Sequence, residues 1–404
     1  MRGADIQTAG ALRPNNMPHD RDHSGDDAGG LQSPISGDGR RTLRSGNARL
    51  AGLVPPAECA YGVTRTLSGG RQCASGARLT DGNALGAPGR TLPDGRPRFD
   101  QQVAQRGYLW WYVDALSDDG RHALTLIAFI GSVFSPRYFR ARRLNCGVAQ
   151  DYCALNVALY GSGRQRWSFT EYCPEAVQTA RDALLMGRND LSWNNGALRV
   201  RIDERAAPVP WPIRGTVTLH PEFLSPSVVA LDPGGLHTWQ PLAPRARLEV
   251  ELEEPRLRWS GSAYLDTNTG CAPLDESFDT WTWSRADLRE GAAVIYEIVP
   301  RHSGARTLAL RFSSQGEMQA FEPPSPVRLP RTLWRVARTA RCDDTTARVL
   351  ATLEDAPFYA RSLIATRWLG EPVRAVHESL LLERFRSGWV RALLPFRMRH
   401  ERLR

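Results

Sequence analysis

The sequence predicts an all-β protein built of antiparallel barrels or sandwiches, and three observations carry that expectation. Short runs of aromatic and β-branched residues recur at close spacing from Phe99 onward. Several of them alternate between apolar and charged positions, the period of a half-buried strand. Clusters of Gly, Pro, Asn and Asp punctuate the runs, as turns between antiparallel strands require.

Taken in order, the chain opens on a stretch that supports no element. Residues 1–97 are rich in Gly, Ser, Arg, Asp and Pro and almost lack aromatic side chains. Such a segment buries too little apolar surface to offset the entropy of ordering it, so a disordered N-terminal extension is expected. Runs at 108–114 and 122–134 flank Ser117-Asp118-Asp119-Gly120 and read as a hairpin. Leu198, Val200 and Ile202 alternate with Arg199, Arg201 and Asp203; a Pro-rich break at 208–212 follows, and alternation resumes over 214–220. Leu248, Val250 and Leu252 alternate with Glu249 and Glu251 in the same manner. One helix is expected before the C-terminal third, over 174–185. The closing run 384–404 sets Trp389, Leu393, Leu394 and Phe396 between arginines. It reads as a last strand reaching residue 398 with a tail beyond, or as a membrane-facing patch.

Composition bounds the function. A chain of 404 residues can form two domains with a sizeable core. Its 52 basic residues against 43 acidic ones are all arginine, with no lysine. That bias points to genome composition, so nucleic acid is not an expected partner. Excess arginine still favours an anionic membrane surface, at about 1 kcal/mol per basic residue near the headgroups. The longest apolar run, 123–134, is shorter than the roughly 20 residues of a membrane span and already contains Gly131 and Ser132. Residues 1–30 hold no apolar core of a secretory signal. The seven cysteines show neither a C-x-x-C pair nor a His/Cys metal spacing, and they read as reduced thiols in a cytoplasmic setting.

The stretch 259–274, closed by Trp281-Thr282-Trp283-Ser284-Arg285, carries the candidate chemistry. On a strand, Tyr264 and Asp266 share a face, as do His237 and Trp239, and Trp281 and Trp283. The result is one carboxyl group among a phenol, an imidazole and several indoles. Each has a plainer reading. Asp266-Thr267-Asn268-Thr269-Gly270 is also an ordinary turn, His237 a strand residue beside a loop, Tyr264 an interior tyrosine, and the tryptophans core aromatics. A calcium loop fails, since its glycine and bidentate-glutamate positions hold Cys271 and Ser277. Gly161-Ser162-Gly163 lacks the third glycine of a dinucleotide loop. His377-Glu378 begins a zinc-protease pattern whose second histidine position holds Leu381, which leaves His377 to satisfy a core polar group.

Five runs together resemble a known family: 107–120 (with Tyr108-Leu109-Trp110-Trp111-Tyr112), 152–161, 264–273, 353–362 (Leu353-Glu354-Asp355-Ala356-Pro357-Phe358) and 394–398. Over roughly residues 98–398 the chain is similar to the carotenoid 1,2-hydratases (hydroxyneurosporene synthases) of photosynthetic bacteria. It departs from their wording at 166–173, and none of the runs that carry the resemblance falls within residues 1–97. The resemblance implies two tandem lipocalin-like antiparallel β-barrels; the Pro- and Gly-containing segment 225–235 sets their boundary near residue 235, giving 98–235 and 236–398, the second carrying most of the site, with a tail at 399–404.

It further implies hydration of the terminal C1=C2 bond of an acyclic carotenoid of the neurosporene or lycopene type. In that reading Asp266 is the acid and Tyr264 its hydrogen-bond partner. His237 positions or deprotonates the water, and Trp239 faces the cation for roughly 2 kcal/mol or more when desolvated. Trp281, Trp283 and Trp111 line the substrate. No cofactor and no metal are expected. Such a substrate places the enzyme against a lipid surface, on the cytoplasmic side of the photosynthetic inner membrane. Two rivals stay open: a non-catalytic lipid or pigment carrier, in which Asp266 is an exposed turn residue, and a related isoprenoid cyclase.

Overall fold

The hairpin at Ser117-Asp118-Asp119-Gly120 forms as expected. Tyr108–Ser117 pairs antiparallel with His122–Ile130, and Gly120 supplies the positive φ of 69° in its turn. The structure is a computed structural model that describes residue 91 and residues 94–161 and 165–401, so most of the 1–97 extension lies outside the described residues.

Around this hairpin grows the first sheet. Its order runs Arg166–Tyr172, Cys153–Gly161, His122–Ile130, Tyr108–Ser117, Leu257–Gly270, His237–Glu254, Pro212–Pro221 and Ala197–Arg205, then three short strands. The long strands are antiparallel, and Arg399–Glu401 adds one parallel edge. The sheet curls back on itself. Thr170 Oγ1 and the Tyr172 hydroxyl, near one edge, both donate to Glu204 on a strand near the other. Leu109, Trp111, Val113, Leu124, Leu126, Val200, Leu248 and Leu265 fill the interior.

A second curled sheet is built from Arg306–Phe312, Gly291–Pro300, Phe278–Leu288, Glu371–Leu381, Tyr359–Trp368 and Arg348–Asp355, with Met318–Ala320 at one edge. A separate hairpin, Ser325–Leu329 with Arg338–Cys342, covers one face. Arg341 ties that hairpin down, bonding Glu297 Oε1 through Nη2 at 2.6 Å and accepting from Trp368 Nε1 at 2.8 Å through its carbonyl. Ile295, Ile364, Trp368 and Ala375 pack beneath. The chain is all-β, two curled antiparallel sheets in tandem.

Several expectations change. The sheet boundary falls between Gly270 and Phe278, not near residue 235. His237–Glu254 pairs with Pro212–Pro221 on one side and Leu257–Gly270 on the other, so 225–235 is an excursion within the first sheet. Residues 174–185 are not a helix. A 3-10 turn at Pro174–Ala176 leads to strands Val177–Thr179 and Ala183–Met186, where edge pairing outweighs the weak stability of so short a helix. The closing run is helical rather than a strand up to 398. Leu382–Phe385 and Gly388–Leu393 are α-helical and Leu394–Phe396 is a 3-10 turn, matching the four-residue spacing of Phe385, Trp389 and Leu393. Cys146, Cys153, Cys173 and Cys342 are free thiols, whereas Cys271 is disulfide-bonded, a pairing that spatial approach decides and counting cannot.

Strand alternation positions the site. Leu109, Trp111 and Val113 point into the first sheet's interior, while Tyr108 and Tyr112 belong, with Trp110 packed beside them, to a second apolar layer. There they meet Trp281, Trp283, Tyr296 and Leu380 of the second sheet.

Candidate active site

Between these two faces lies a cavity of about 420 Å³, walled by Trp110, Tyr112, Phe129, Phe169 and Asp266 from the first sheet and by Trp281, Trp283, Tyr296, Glu378 and Leu380 from the second. Its walls are apolar and aromatic with a few converging polar groups, the usual makeup of a small-molecule site.

Asp266 is 3 % exposed. Its Oδ2 accepts from the Tyr264 hydroxyl at 2.8 Å and from Trp239 Nε1 at 2.9 Å. Oδ1 is buried without a hydrogen-bond partner. Burial pushes the carboxyl up to about 7, against the pull of the two donors, and the charge of Glu378 raises it further. Asp266 therefore keeps its proton in a large fraction of molecules near neutral pH. Two buried arginines lie close by, but other carboxylates hold them. Arg285 Nε bonds Asp114 Oδ2 at 2.5 Å, and Arg361 pairs with both Asp114 and Glu378.

The expected partners separate into two groups. Tyr264 shares a face with Asp266 as predicted, and its own acidity is suppressed by burial and by the adjoining carboxyl. Trp281 and Trp283 line the cavity. Trp239 reaches the acid in a different role. Its indole N–H is spent on Asp266 and on the Tyr264 hydroxyl at 3.1 Å, and its ring packs on Tyr296 at 5.0 Å rather than forming cavity wall.

His237 does not reach the cavity wall, and both its ring nitrogens are engaged. Tyr108 OH lies 2.9 Å from Nδ1 and Ser277 Oγ 2.7 Å from Nε2. Ser277 donates to the Pro273 carbonyl at 3.2 Å, which assigns the imidazole proton to Nε2. Burial pushes the ring down to about 4, so it is neutral. Its strand partner is Gly270, four residues beyond Asp266 and roughly 13 Å along the strand. That geometry does not bring the imidazole onto the Asp266 carboxyl. His237 instead braces Tyr108 against the turn that opens the second sheet.

Trp111 also falls away. It packs on Phe99 at 4.8 Å inside the first sheet, on the face opposite the cavity. Adjacent strand residues point to opposite sides, so Trp110 and Tyr112 take the place expected of it.

Sequence reasoning missed Tyr112, Glu378, Arg361 and Glu354. Tyr112 donates to Glu378 Oε1 at 2.7 Å and accepts from Arg361 Nη1 at 2.6 Å. A signal for Glu378 was present, since Val376, Glu378 and Leu380 share one strand face and set an acid in an apolar row. His377 lies on the other face, 2.8 Å from Ser284 Oγ, and burial pushes it down to about 4. Glu354, in the 353–362 run, accepts from Tyr160 at 2.8 Å, and burial raises its carboxyl. Among the described residues, no group of three or more His, Cys, Asp and Glu side chains converges as a metal site would.

Comparison with known proteins bears on this geometry. The family described as carotenoid hydratase CrtC matches residues 126–404. The acyclic carotenoid 1,2-hydratase of Thiocapsa roseopersicina is 47 % identical over 98 % of this chain and 99 % of its own length. That of Rubrivivax gelatinosus is 45 % identical over 98 % of this chain and 99 % of its own. A crystal structure of an AttH-type protein from Nitrosomonas europaea covers 74 % of this chain and 99 % of its own, with a TM-score of 0.49 and 16 % identity, a likeness that speaks to neither chemistry nor ligand. On that kinship, which spans nearly the whole length of both chains, this chain belongs to the carotenoid hydratase family, as an enzyme of the hydro-lyase class.

Proposed function

We propose that the enzyme hydrates the terminal C1=C2 bond of an acyclic carotenoid of the neurosporene or lycopene type, with Asp266 as the proton donor. One observation carries this reading: Asp266 is a buried carboxyl, raised to about 7, whose Oδ1 has no partner at an aromatic cavity. An isolated alkene presents no heteroatom to polarise, so it must be protonated directly.

The Asp266 proton passes to C2 and leaves a tertiary cation at C1. Tyr264 and Trp239 hold their hydrogen bonds to Oδ2 and stabilise the carboxylate as it forms. The rings of Trp281, Trp283 and Tyr296 line the space the cation occupies, and a ring facing a desolvated cation is worth roughly 2 kcal/mol or more. Water adds to C1, and the protonated alcohol returns its extra proton to the Asp266 carboxylate. The sum is one water added with no change of oxidation state, so the reaction itself calls for no cofactor.

The carotenoid is comparable in length to the ~30 Å hydrocarbon core of a bilayer. One end fits such a cavity while the rest stays in lipid. We therefore place the enzyme at the membrane surface, on the cytoplasmic side of the photosynthetic inner membrane; no helix among the described residues is long and apolar enough to cross it. The carrier alternative accommodates Asp266 as an exposed turn residue of ordinary acidity, and its burial supports the acid reading over that one. The deciding experiment incubates the purified protein with neurosporene or lycopene. A product heavier by one water, carrying a single deuterium at C2 when formed in heavy water, is expected. An isomer of unchanged mass would mean a cyclase, and no product at all a carrier.

A further inference from the structure

We infer that the cavity opens through a docking face built by two chain segments, 330–341 and 386–400, and that this face seats on an anionic bilayer. The proposal deepens the membrane reading above and rests on it for what enters the cavity; the face itself rests on the following geometry.

Exposed apolar bulk gathers on these segments. Leu333 is 96 % exposed, Phe396 78 %, Trp389 52 %, Trp334 46 % and Leu393 42 %. The two tryptophans are the exposed ones among the described residues, and they stack at 6.2 Å, joining the segments. The arrangement is built rather than frayed. Arg384 Nη1 donates to the Trp334 carbonyl at 2.8 Å and Nη2 to that of Arg335 at 3.2 Å, and the Trp334 amide donates to Asp355 Oδ2 at 3.2 Å.

The patch is continuous with the cavity. Trp334, Leu393 and Phe396 are exposed to the outside and also line its wall. A long hydrocarbon leaving the cavity along them would meet solvent only if nothing apolar covered the face.

Charge selects the cover. Neither segment contains an aspartate or glutamate, and Arg331, Arg335 and Arg391 form no ion pair among the described residues. Arg391 lies 4.0 Å over the ring of Phe139, on the helix Pro136–Arg143, which adds exposed Arg140 and Arg143 and again no acid. Tryptophan and arginine around an apolar centre suit the interface of an anionic membrane, with the indoles at headgroup depth and the guanidinium groups on phosphate. An acidic protein partner would satisfy the arginines but not the greasy rim, and an uncharged apolar surface the reverse.

The test uses the full chain and vesicles of phosphatidylglycerol or of phosphatidylcholine. Wild-type protein is expected to co-sediment with the anionic vesicles, and less so as salt rises. The double variant Leu333→Glu/Trp389→Glu alters two residues outside the cavity wall. It is expected to bind at least tenfold more weakly, and to turn over vesicle-embedded lycopene correspondingly more slowly. Turnover of detergent-dispersed lycopene should be unchanged. Arg331→Gln/Arg335→Gln, which leaves the apolar rim whole, should lose the preference for anionic lipid. Wild-type binding by the first variant would overturn the proposal. So would a loss of self-association in that variant with vesicle binding intact, which would make a second copy the occupant. Variant-sensitive vesicle binding without hydration in any format would uphold the docking face and sink the hydratase mechanism instead.

Discussion

Tyr112 stands directly opposite Asp266 on paired strands of the first sheet, and its hydroxyl crosses to Glu378 Oε1 on the second sheet at 2.7 Å. Glu378 in turn lies opposite Trp283 in its own ladder. Asp266 and Glu378 thus sit on different sheets with the Tyr112 phenol between them. Their electrostatic coupling depends on how the two sheets pack.

Asp266→Asn should abolish turnover, by several orders of magnitude, while carotenoid binding persists. The amide oxygen can still accept from Tyr264 and Trp239, but the side chain has no proton to give. Stability gives an independent reading. The folded carboxyl titrates near 7 and the unfolded one near 3.8, so its contribution falls as pH rises from about 4 to 7 and is flat above. At pH 8 the wild type bears the cost of an ionised buried carboxylate, on the order of a few kcal/mol. The variant escapes it, and thermal unfolding at pH 8 should show Asp266→Asn at least as stable as wild type.

The rate of hydration should fall as pH rises through about 7, because only neutral Asp266 donates. Glu378→Gln should move that limb to lower pH. It removes a negative charge that favours the neutral acid and leaves Arg361 less compensated, and both changes act in one direction. A limb that stays in place would show the two carboxyl groups to be uncoupled.

Exchanging the two kinds of tryptophan should separate packing from chemistry. Trp111→Ala is expected to cost about 3–5 kcal/mol of stability, as truncation of a large buried aromatic does, with little change in KM for protein that remains folded. Trp283→Leu keeps an apolar wall but removes a ring near the cation, and kcat should drop roughly tenfold or more. Equal kinetic effects at both positions would contradict the assignment of faces.

His237→Ala should act on stability first. Tyr108 and Ser277 each lose a buried partner, worth about 1–3 kcal/mol per unsatisfied group. The pH of the descending rate limb should not move, since His237 does not touch Asp266. A shifted limb would return the histidine to the chemistry.

Alternation along single strands made part of this site legible from sequence. Tyr264 and Asp266 do share a face and a hydrogen bond, and Trp281 and Trp283 do line one wall, because facing within a strand follows from local backbone geometry. The same periodicity reports that Trp110 and Trp111 point apart without saying which one meets the ligand. It separates His237 from a loop residue without revealing that Tyr108 and Ser277 occupy its nitrogens.

The tertiary structure alone decided that the cavity lies between the two sheets, that Glu378 joins Tyr112 from 266 residues away, and that the closing arginine-rich run folds as helices at its mouth. Pairing partners and sheet stacking are non-local: they arise from competition among all strands for edges and apolar faces, which no window of sequence contains.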